Sequence, residues 1–245
     1  MASPFLLAAG GQVGGDFFKE RDVGDLCQAQ PEHVFCFDWA KENIDRFGTP
    51  TVQHLQIVIP SIVIGFVVAF VLALLAHRVR WLQPPLLAAT GILYTIPSIA
   101  FFFLLLPVTG LGRDTAIVVL SAYTLQIIFR NTVLGLNNVP DSVKDAARGM
   151  GLTPNQILWK VELPLAIPEI IAGLRVAVVS TIAIATLAVL ISAGGLGTQM
   201  YGSNLTFPTS IIIAAAIVIL MALTLDTILL LVQRFTTPWR RVAEA

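Results

Sequence analysis

Asp226 is an acidic residue set inside a long apolar stretch, since Val176 to Leu225 contains no Asp, Glu, Lys or Arg. An ionisable side chain in such a stretch is costly, and it marks either a structural ion pair or a functional group such as a proton carrier. Arg130 and Arg234 are the basic residues placed to reach it. We favour an ion pair, because proton transfer would imply a secondary transporter.

The rest of the sequence shows no arrangement of side chains typical of an enzyme. It has no serine–histidine–acid set, and His33, His54 and His77 lack the spacing of metal ligands. No Gly-x-x-x-x-Gly-Lys-Ser/Thr loop is present to hold ATP. The formal net charge is +0, which gives no electrostatic basis for nucleic-acid binding. We therefore predict a chain that is not an enzyme, binds no cofactor or metal directly and binds no nucleic acid.

The longest internal hydrophilic stretch, 139–164, has the pattern of two short helices joined by a glycine. Pro140 suits an early helical position. An apolar stripe follows at helical spacing, formed by Val143, Ala147 and Met150. Gly151 suits the left-handed residue that comes just after a helix.

The second half of this stretch begins with Thr153-Pro-Asn-Gln156, which has the form of a capping box with proline at the first helical position. We expect Pro164 to end the helix that starts there. The apolar and small side chains of the unit face water unless a partner covers them. The alternative is an amphipathic connector that rests on the membrane.

Composition places this loop in a membrane protein. Hydrophobic residues make up 56% of the chain and charged residues 12%, whereas soluble domains carry about 25% charged residues. Two runs without Asp, Glu, Lys or Arg, at 81–112 and 176–225, are each longer than the roughly 20 residues that cross a bilayer. We predict an all-α, polytopic membrane protein with about five transmembrane helices, placed at 54–76, 85–107, 114–134, 168–192 and 209–233.

The distribution of Lys and Arg predicts the orientation. The side that includes the 135–167 loop and the C-terminus holds ten of the fifteen basic residues, and the other side holds five. Since cytoplasmic loops carry an excess of Lys and Arg, the N-terminus is expected outside and the C-terminus in the cytoplasm. The chain then divides into an extracytoplasmic tail at 1–50, a transmembrane domain at 51–235 with a cytoplasmic loop at 138–165, and a cytoplasmic tail at 236–245.

The extracytoplasmic tail holds both cysteines of the chain, Cys27 and Cys36. An oxidising compartment would permit a disulfide between them, and the alternative is two free thiols. Residues 38–47 then have the spacing of a short helix, which Gly48 and Pro50 would end.

The cytoplasmic loop carries a set of residues at fixed spacing: Asp145-Ala146-Ala147, three residues, Gly151, nine residues, Val161, one residue and Leu163-Pro164. This set resembles the signature loop of binding-protein-dependent ABC importer permeases, which reads Glu-Ala-Ala, Gly, Ile and Leu-Pro at the same spacing. Asp145 replaces Glu and Val161 replaces Ile, and both changes keep the chemistry. The resemblance covers about residues 51–235 and implies a type I importer permease with a MetI-like transmembrane domain.

Two further motifs resemble the osmoprotectant branch of that family, which takes up glycine betaine, choline and carnitine: Tyr94-Thr-Ile-Pro-Ser98 and Ser192-Ala-Gly-Gly-Leu-Gly197. Aromatic rings recognise quaternary ammonium groups through cation–π contact. The candidate contacts in the transport pathway are Tyr94, Pro97, Phe101 and Tyr123. The alternatives are a permease for methionine or another amino acid and a proton-coupled secondary transporter that uses Asp226.

The resemblance also implies partners. In the family the loop forms coupling helices that sit in a groove of an ATPase subunit, so two ABC ATPase subunits would hold the ATP and Mg. A second permease subunit, identical or homologous, would complete the pathway within the lipid bilayer. An extracytoplasmic substrate-binding protein would dock near the 193–208 loop. The location implied is the inner (cytoplasmic) membrane of a prokaryote.

Overall fold

The regular elements of the protein are helices. The structure is a computed structural model that describes residues 35–201 and 208–238, and no strand occurs in those two ranges. Four helical segments in the described ranges are long and apolar enough to cross a membrane by themselves: Phe37–Arg78, Arg113–Asn137, Pro154–Ile191 and Pro208–Thr236. A further pair of helices, Arg80–Thr95 and Ser98–Thr109, is bent by 98° and counts as a fifth span if taken together. The prediction of an all-α membrane protein with about five spans is confirmed.

The first span begins earlier than predicted, because a short helix runs into it. Helix α1 (Phe37–Asn43) continues through a 3₁₀ turn into α2 (Gly48–Arg78). Gly48 and Pro50 therefore do not end the short helix, and that prediction is wrong. Gly48 has helical angles, φ −60° and ψ −57°. Pro50 lies in the first turn of α2, where the missing N–H costs no hydrogen bond.

The predicted second span, 85–107, is a broken helix and not a continuous one. Helices α3 (Gln83–Thr95) and α4 (Ser98–Thr109) meet at an angle of 98°. Pro97 has no N–H to donate, and its ring disfavours the helical conformation in the residue before it. Ile96 accordingly has extended angles, φ −64° and ψ 125°.

Helix α5 (Arg113–Asn137) lies at the centre of the bundle and packs against α2 on one side. Gly65 of α2 permits this approach, because a Cβ atom there would lie 2.7 Å from the Cβ of Thr124. Small residues at such contacts are what lets membrane helices pack closely. Helix α5 also packs against the two halves of the second span and against the fourth span, where the hydroxyl groups of Thr124 and Thr181 are 2.9 Å apart.

The segment between the third and fourth spans forms two helices and a π-helical turn. These are α6 (Asp141–Gly149), α7 (Pro154–Ile157) and the turn Leu158–Glu162, which leads directly into α8 (Leu163–Ala185). The prediction that Pro164 ends the second helix is wrong. A proline ring in an α-helix clashes with the carbonyl four residues before it, and the wider π turn immediately before Pro164 gives that ring room.

The chain then closes the bundle. A 3₁₀ turn (Thr186–Ile191) leads to the short α9 (Gly197–Tyr201), and α10 (Pro208–Thr236) packs on α8. Cys36 is buried at the start of α1, and its backbone N–H donates to Thr209 Oγ1 at 3.0 Å, which joins the N-terminal segment to α10. Cys27 lies outside the described residues, so the Cys27–Cys36 disulfide stays a prediction.

Candidate functional site

The elbow of the cytoplasmic loop is built by local interactions that the sequence predicts. Gly151 follows α6 with φ +81°, the left-handed conformation that favours glycine. Gln156 N–H donates to Thr153 Oγ1 at 3.4 Å, and Thr153 N–H donates to Gln156 Oε1 at 2.8 Å. These two bonds complete the capping box that starts α7. The positive φ and the capping box together fix the angle between α6 and α7.

Helix α6 leaves apolar and small side chains uncovered on one face. Val143, Ala146 and Met150 lie three and four residues apart, so they share a side of the helix. We call these three residues the docking face. Met150 is 73% exposed and Val143 37%, and Ala146 is also exposed. The next residue, Ala147, is 1% exposed and faces the rest of the chain. The predicted stripe of Val143, Ala147 and Met150 is therefore divided between an outer and an inner side.

The other residues of the predicted loop motif occupy two places. Asp145 accepts a hydrogen bond from Arg148 Nη1 at 2.6 Å, an exposed ion pair within α6. Val161 lies in the π-helical turn, and Leu163 and Pro164 begin α8, all three half-buried. The motif thus extends from the exposed helix α6 to the start of a membrane span.

Two side-chain contacts fasten this loop to the cytoplasmic end of α2. His77 Nε2 donates to Glu162 Oε2 at 2.7 Å, and both side chains are largely buried. Arg78 Nη2 donates to Asn155 Oδ1. A cavity of about 220 Å³ lies beside the two contacts. Sequence reasoning missed both, since their partners are 85 and 77 residues apart and no local pattern marks them.

The predicted aromatic contacts come together where the second span breaks. The ring centroids of Tyr94 and Tyr123 are 5.4 Å apart, and those of Phe101 and Tyr123 are 6.0 Å apart. The Tyr123 hydroxyl donates to the carbonyl of Ile96, the residue before Pro97. Phe101 and Tyr123 are buried, whereas Tyr94 is 42% exposed. The break therefore presents one accessible ring backed by two buried rings.

Asp226 forms an ion pair within the membrane-spanning part, but its partner is Arg175 and not the predicted Arg130 or Arg234. Arg175 Nε donates to Oδ1 and Nη2 donates to Oδ2, both at 2.8 Å. This two-point geometry is the strongest arrangement for an arginine and a carboxylate. Arg175 belongs to α8 and Asp226 to α10, so the pair joins the fourth and fifth spans.

Comparison with known proteins agrees with these features. Residues 55–242 match the family described as binding-protein-dependent transport system inner membrane component. The chain is 36% identical over 203 residues to the osmoprotectant import permease protein OsmW of Salmonella typhimurium, which covers 80% of this chain and 94% of that protein. It is 35% identical over 189 residues to the choline transport system permease protein OpuBB of Bacillus subtilis, covering 77% and 87%.

Among solved structures, the MetNI methionine ABC transporter in an inward-facing conformation contains a similar chain. The TM-score is 0.72 at 22% identity, and the match covers 78% of this chain and 96% of that one. At this identity the likeness shows the fold alone, and it agrees with the predicted type I permease fold. The family match and the permease relatives at 35% and 36% identity show what the whole chain is. The chain belongs to the family of inner membrane components of binding-protein-dependent transport systems, and it is a multi-pass permease subunit of an ABC importer.

Proposed function

We propose that this permease admits an osmoprotectant, such as glycine betaine, choline or carnitine, and that separate ATPase subunits drive it through the docking face. The observation that carries the proposal is the exposure of Val143, Ala146 and Met150 on a helix whose angle is fixed at Gly151 and Thr153. An apolar helix face of this kind suits a groove in a partner protein. Within the described residues, Met150 and Ala146 stay exposed, and Val143 is covered only in part.

The contacts behind the docking face give a route from the ATPase to the spans. Movement of α6 and α7 is passed to α2 through the His77–Glu162 and Arg78–Asn155 contacts. It is passed to α8 directly, because the helix is continuous from Pro154 to Ile191. Closure of two ATPase subunits around ATP and Mg thus tilts two spans at once. This motion exchanges the inward-facing and outward-facing states of the pathway.

The osmoprotectant cargo is supported by the relatives' names and by the aromatic cluster. The named relatives transport osmoprotectants and choline. Tyr94, backed by Tyr123 and Phe101, offers ring faces to a quaternary ammonium group, which binds within about 6 Å of a ring centroid. The methionine transporter resembles this chain in fold only, so it gives little support to methionine as cargo. The pairing of Asp226 with Arg175 disfavours a proton carrier at that position.

The assembly we propose has two permease subunits, identical or homologous, two ATPase subunits and a substrate-binding protein. The N-terminus lies outside and the C-terminus in the cytoplasm, consistent with ten basic residues on the side of the loop and five on the other. The binding protein docks near the 193–208 loop, of which residues 202–207 lie outside the described part. Within the described part of that loop, Gly195 N–H donates to Gln53 Oε1 at 3.2 Å, and this bond joins the loop to α2.

The test is uptake into proteoliposomes that contain the permease together with an ABC ATPase and a substrate-binding protein from the same organism. Labelled glycine betaine, choline and carnitine should each enter only with ATP on the ATPase side and binding protein on the other. Uptake driven by a proton gradient without ATP would support the secondary transporter. Uptake of methionine in preference to all three would support the amino-acid permease.

A further inference from the structure

The ion pair of Arg175 and Asp226 lies well inside the spans. Arg175 is six residues beyond Glu169 on its helix, and Asp226 is eight residues before Arg234. At about 1.5 Å of rise per residue, Arg175 is roughly 9 Å and Asp226 roughly 12 Å along its own helix from that charged residue. Neither side chain is fully enclosed by the subunit, since Arg175 is 26% exposed and Asp226 28%.

An open cleft of about 440 Å³ gives access to the pair, and we call it the charge-pair cleft. Intramembrane charges are tolerated where they face the interior of a bundle or a water-filled cavity, and they are expensive against lipid. The open ion pair therefore favours an orientation in which this side of the subunit faces the pathway between permease subunits over one in which it faces the lipid. The cleft is lined by Ala172, Arg175, Val176, Val179, Ser180 and Asp226.

Ser180 adds a hydroxyl group to the lining of the cleft. Ser61 and Ser121, on other spans, each donate at 2.7 Å to the carbonyl four residues earlier in their own helix. Among the described residues, Ser180 shows no hydrogen bond of this kind, and its half-buried side chain lines the cleft. Arg175 has five N–H donors, of which the carboxylate of Asp226 takes two. The cleft thus offers spare donors and a hydroxyl beside one positive and one negative group.

We propose that the charge-pair cleft is a transient binding site for zwitterions on their way through the membrane. The carboxylate of the cargo binds Arg175 and its cationic nitrogen lies against Asp226, so the cargo exchanges partners with the existing ion pair. A cation without a carboxylate satisfies Asp226 but leaves Arg175 unpaired, which is costly in a desolvated site. Val176 and Val179 offer apolar contact to the methyl groups of the cargo. This inference rests on the proposed function and sharpens it, because it separates glycine betaine and carnitine from choline.

The first test measures uptake of glycine betaine, carnitine and choline by the reconstituted transporter with Arg175→Gln. Loss of a charge-assisted bond to the cargo should lower glycine betaine and carnitine uptake about tenfold or more relative to choline. Arg130→Gln, an exposed arginine of α5, is the matched control and should leave the ratio unchanged. If the pair serves only to join α8 and α10, Arg175→Gln lowers all three uptakes equally. In that case the exchanged pair Arg175→Asp with Asp226→Arg restores all three, and this result overturns the proposal.

A second test does not depend on transport. Ser180→Cys places a thiol in the cleft, and a charged, membrane-impermeant methanethiosulfonate reagent should label it faster than the thiol of Val67→Cys on the exposed face of α2. The wild-type chain gives the background from its two cysteines. Glycine betaine should slow the labelling at least several-fold more than choline does. Absence of labelling at the cleft overturns the proposal whatever the cargo is.

The two proposals can fail separately. If the wild-type transporter takes up none of the three compounds, the osmoprotectant cargo is wrong. The cleft is then judged by labelling in the presence of alanine, a zwitterion that lacks the methyl groups. Protection by alanine supports a zwitterion site in a permease for another cargo, and unslowed labelling overturns it.

Discussion

Gly151→Ala tests whether the elbow of the cytoplasmic loop couples ATP hydrolysis to transport. Gly151 has φ +81°, and no neighbouring atom lies within 4 Å of the position its Cβ would take. The substitution therefore meets no steric obstacle, and its cost comes from the backbone alone. Holding a residue with a side chain in the left-handed region costs about 1 to 2 kcal/mol. That free energy lowers the population of the elbow conformation about 5- to 30-fold relative to its alternatives.

Gly149→Ala is a matched control, since Gly149 also has open space around its Cβ position but ends the helix α6 with φ outside the left-handed region. Alanine in a helix is favoured over glycine by up to about 1 kcal/mol, so this change should be neutral or stabilising. The assay is the number of cargo molecules imported per ATP hydrolysed in proteoliposomes. We expect Gly151→Ala to lower this ratio at least several-fold, Gly151→Asn to lower it less, and Gly149→Ala to leave it unchanged. Equal effects of the alanine substitutions at 149 and 151, or none at either, would show that the left-handed conformation of Gly151 has no part in coupling.

Three further substitutions test contacts between helices. Gly173→Ala should destabilise the bundle by about 1 to 3 kcal/mol, because its Cβ would lie 2.4 Å from the Cβ of Asn131, and the midpoint of thermal unfolding in detergent should fall. Glu162→Ala should weaken the transfer of motion to α2, since it leaves His77 without its partner at a cost of about 1 to 3 kcal/mol. Uptake should fall while the ATPase activity of the complex remains. Tyr123→Phe removes the hydrogen bond to the carbonyl at the helix break, and it should lower both thermal stability and uptake by a smaller amount.

Each of these changes has a control in the same chain. Gly91→Ala should be tolerated, as the nearest atom to its Cβ position is 3.8 Å away. Glu169→Ala removes the same charge from the same helix region without breaking the contact to His77. Tyr94→Phe keeps the ring of the aromatic cluster and should preserve stability. If any control matched the effect of its test substitution, the contact assigned to that test residue would not be its cause.

Local signals in the sequence were sufficient for the elbow of the cytoplasmic loop. Glycine after a helix and the Thr153–Gln156 pair each act over a few residues, so their effect can be predicted without knowledge of the fold. The exposure of the docking face could not be predicted for each residue in the same way. Whether Ala147 or Val143 turns inwards depends on how α6 rests on the rest of the chain.

Prolines show where local signals are insufficient. Pro97 breaks its helix by 98°, whereas Pro164 follows a π-helical turn in a helix that continues to Ile191. Both residues are prolines, but only one of them interrupts its helix. The π-helical turn before Pro164 makes room for the proline ring, whereas the helix before Pro97 has no such turn and ends at Thr95. The partner of Asp226 was missed for a related reason: Arg175 is 51 residues away, and the pairing follows from the packing of α8 on α10.

In the proposed complex, the docking face of α6 binds an ATPase subunit. Ala146→Glu puts a charge in the middle of that face, where an apolar groove would have to desolvate it. Gln156→Glu is the control, because it adds the same charge to the same loop and glutamate also completes a capping box. The measurement is the amount of ATPase subunit that co-purifies with the tagged permease from membranes in which both are expressed. We expect the Ala146→Glu permease to lose the ATPase and the Gln156→Glu permease to keep it at the wild-type amount. Retention of the ATPase by Ala146→Glu, with uptake still driven by ATP, would contradict the claim.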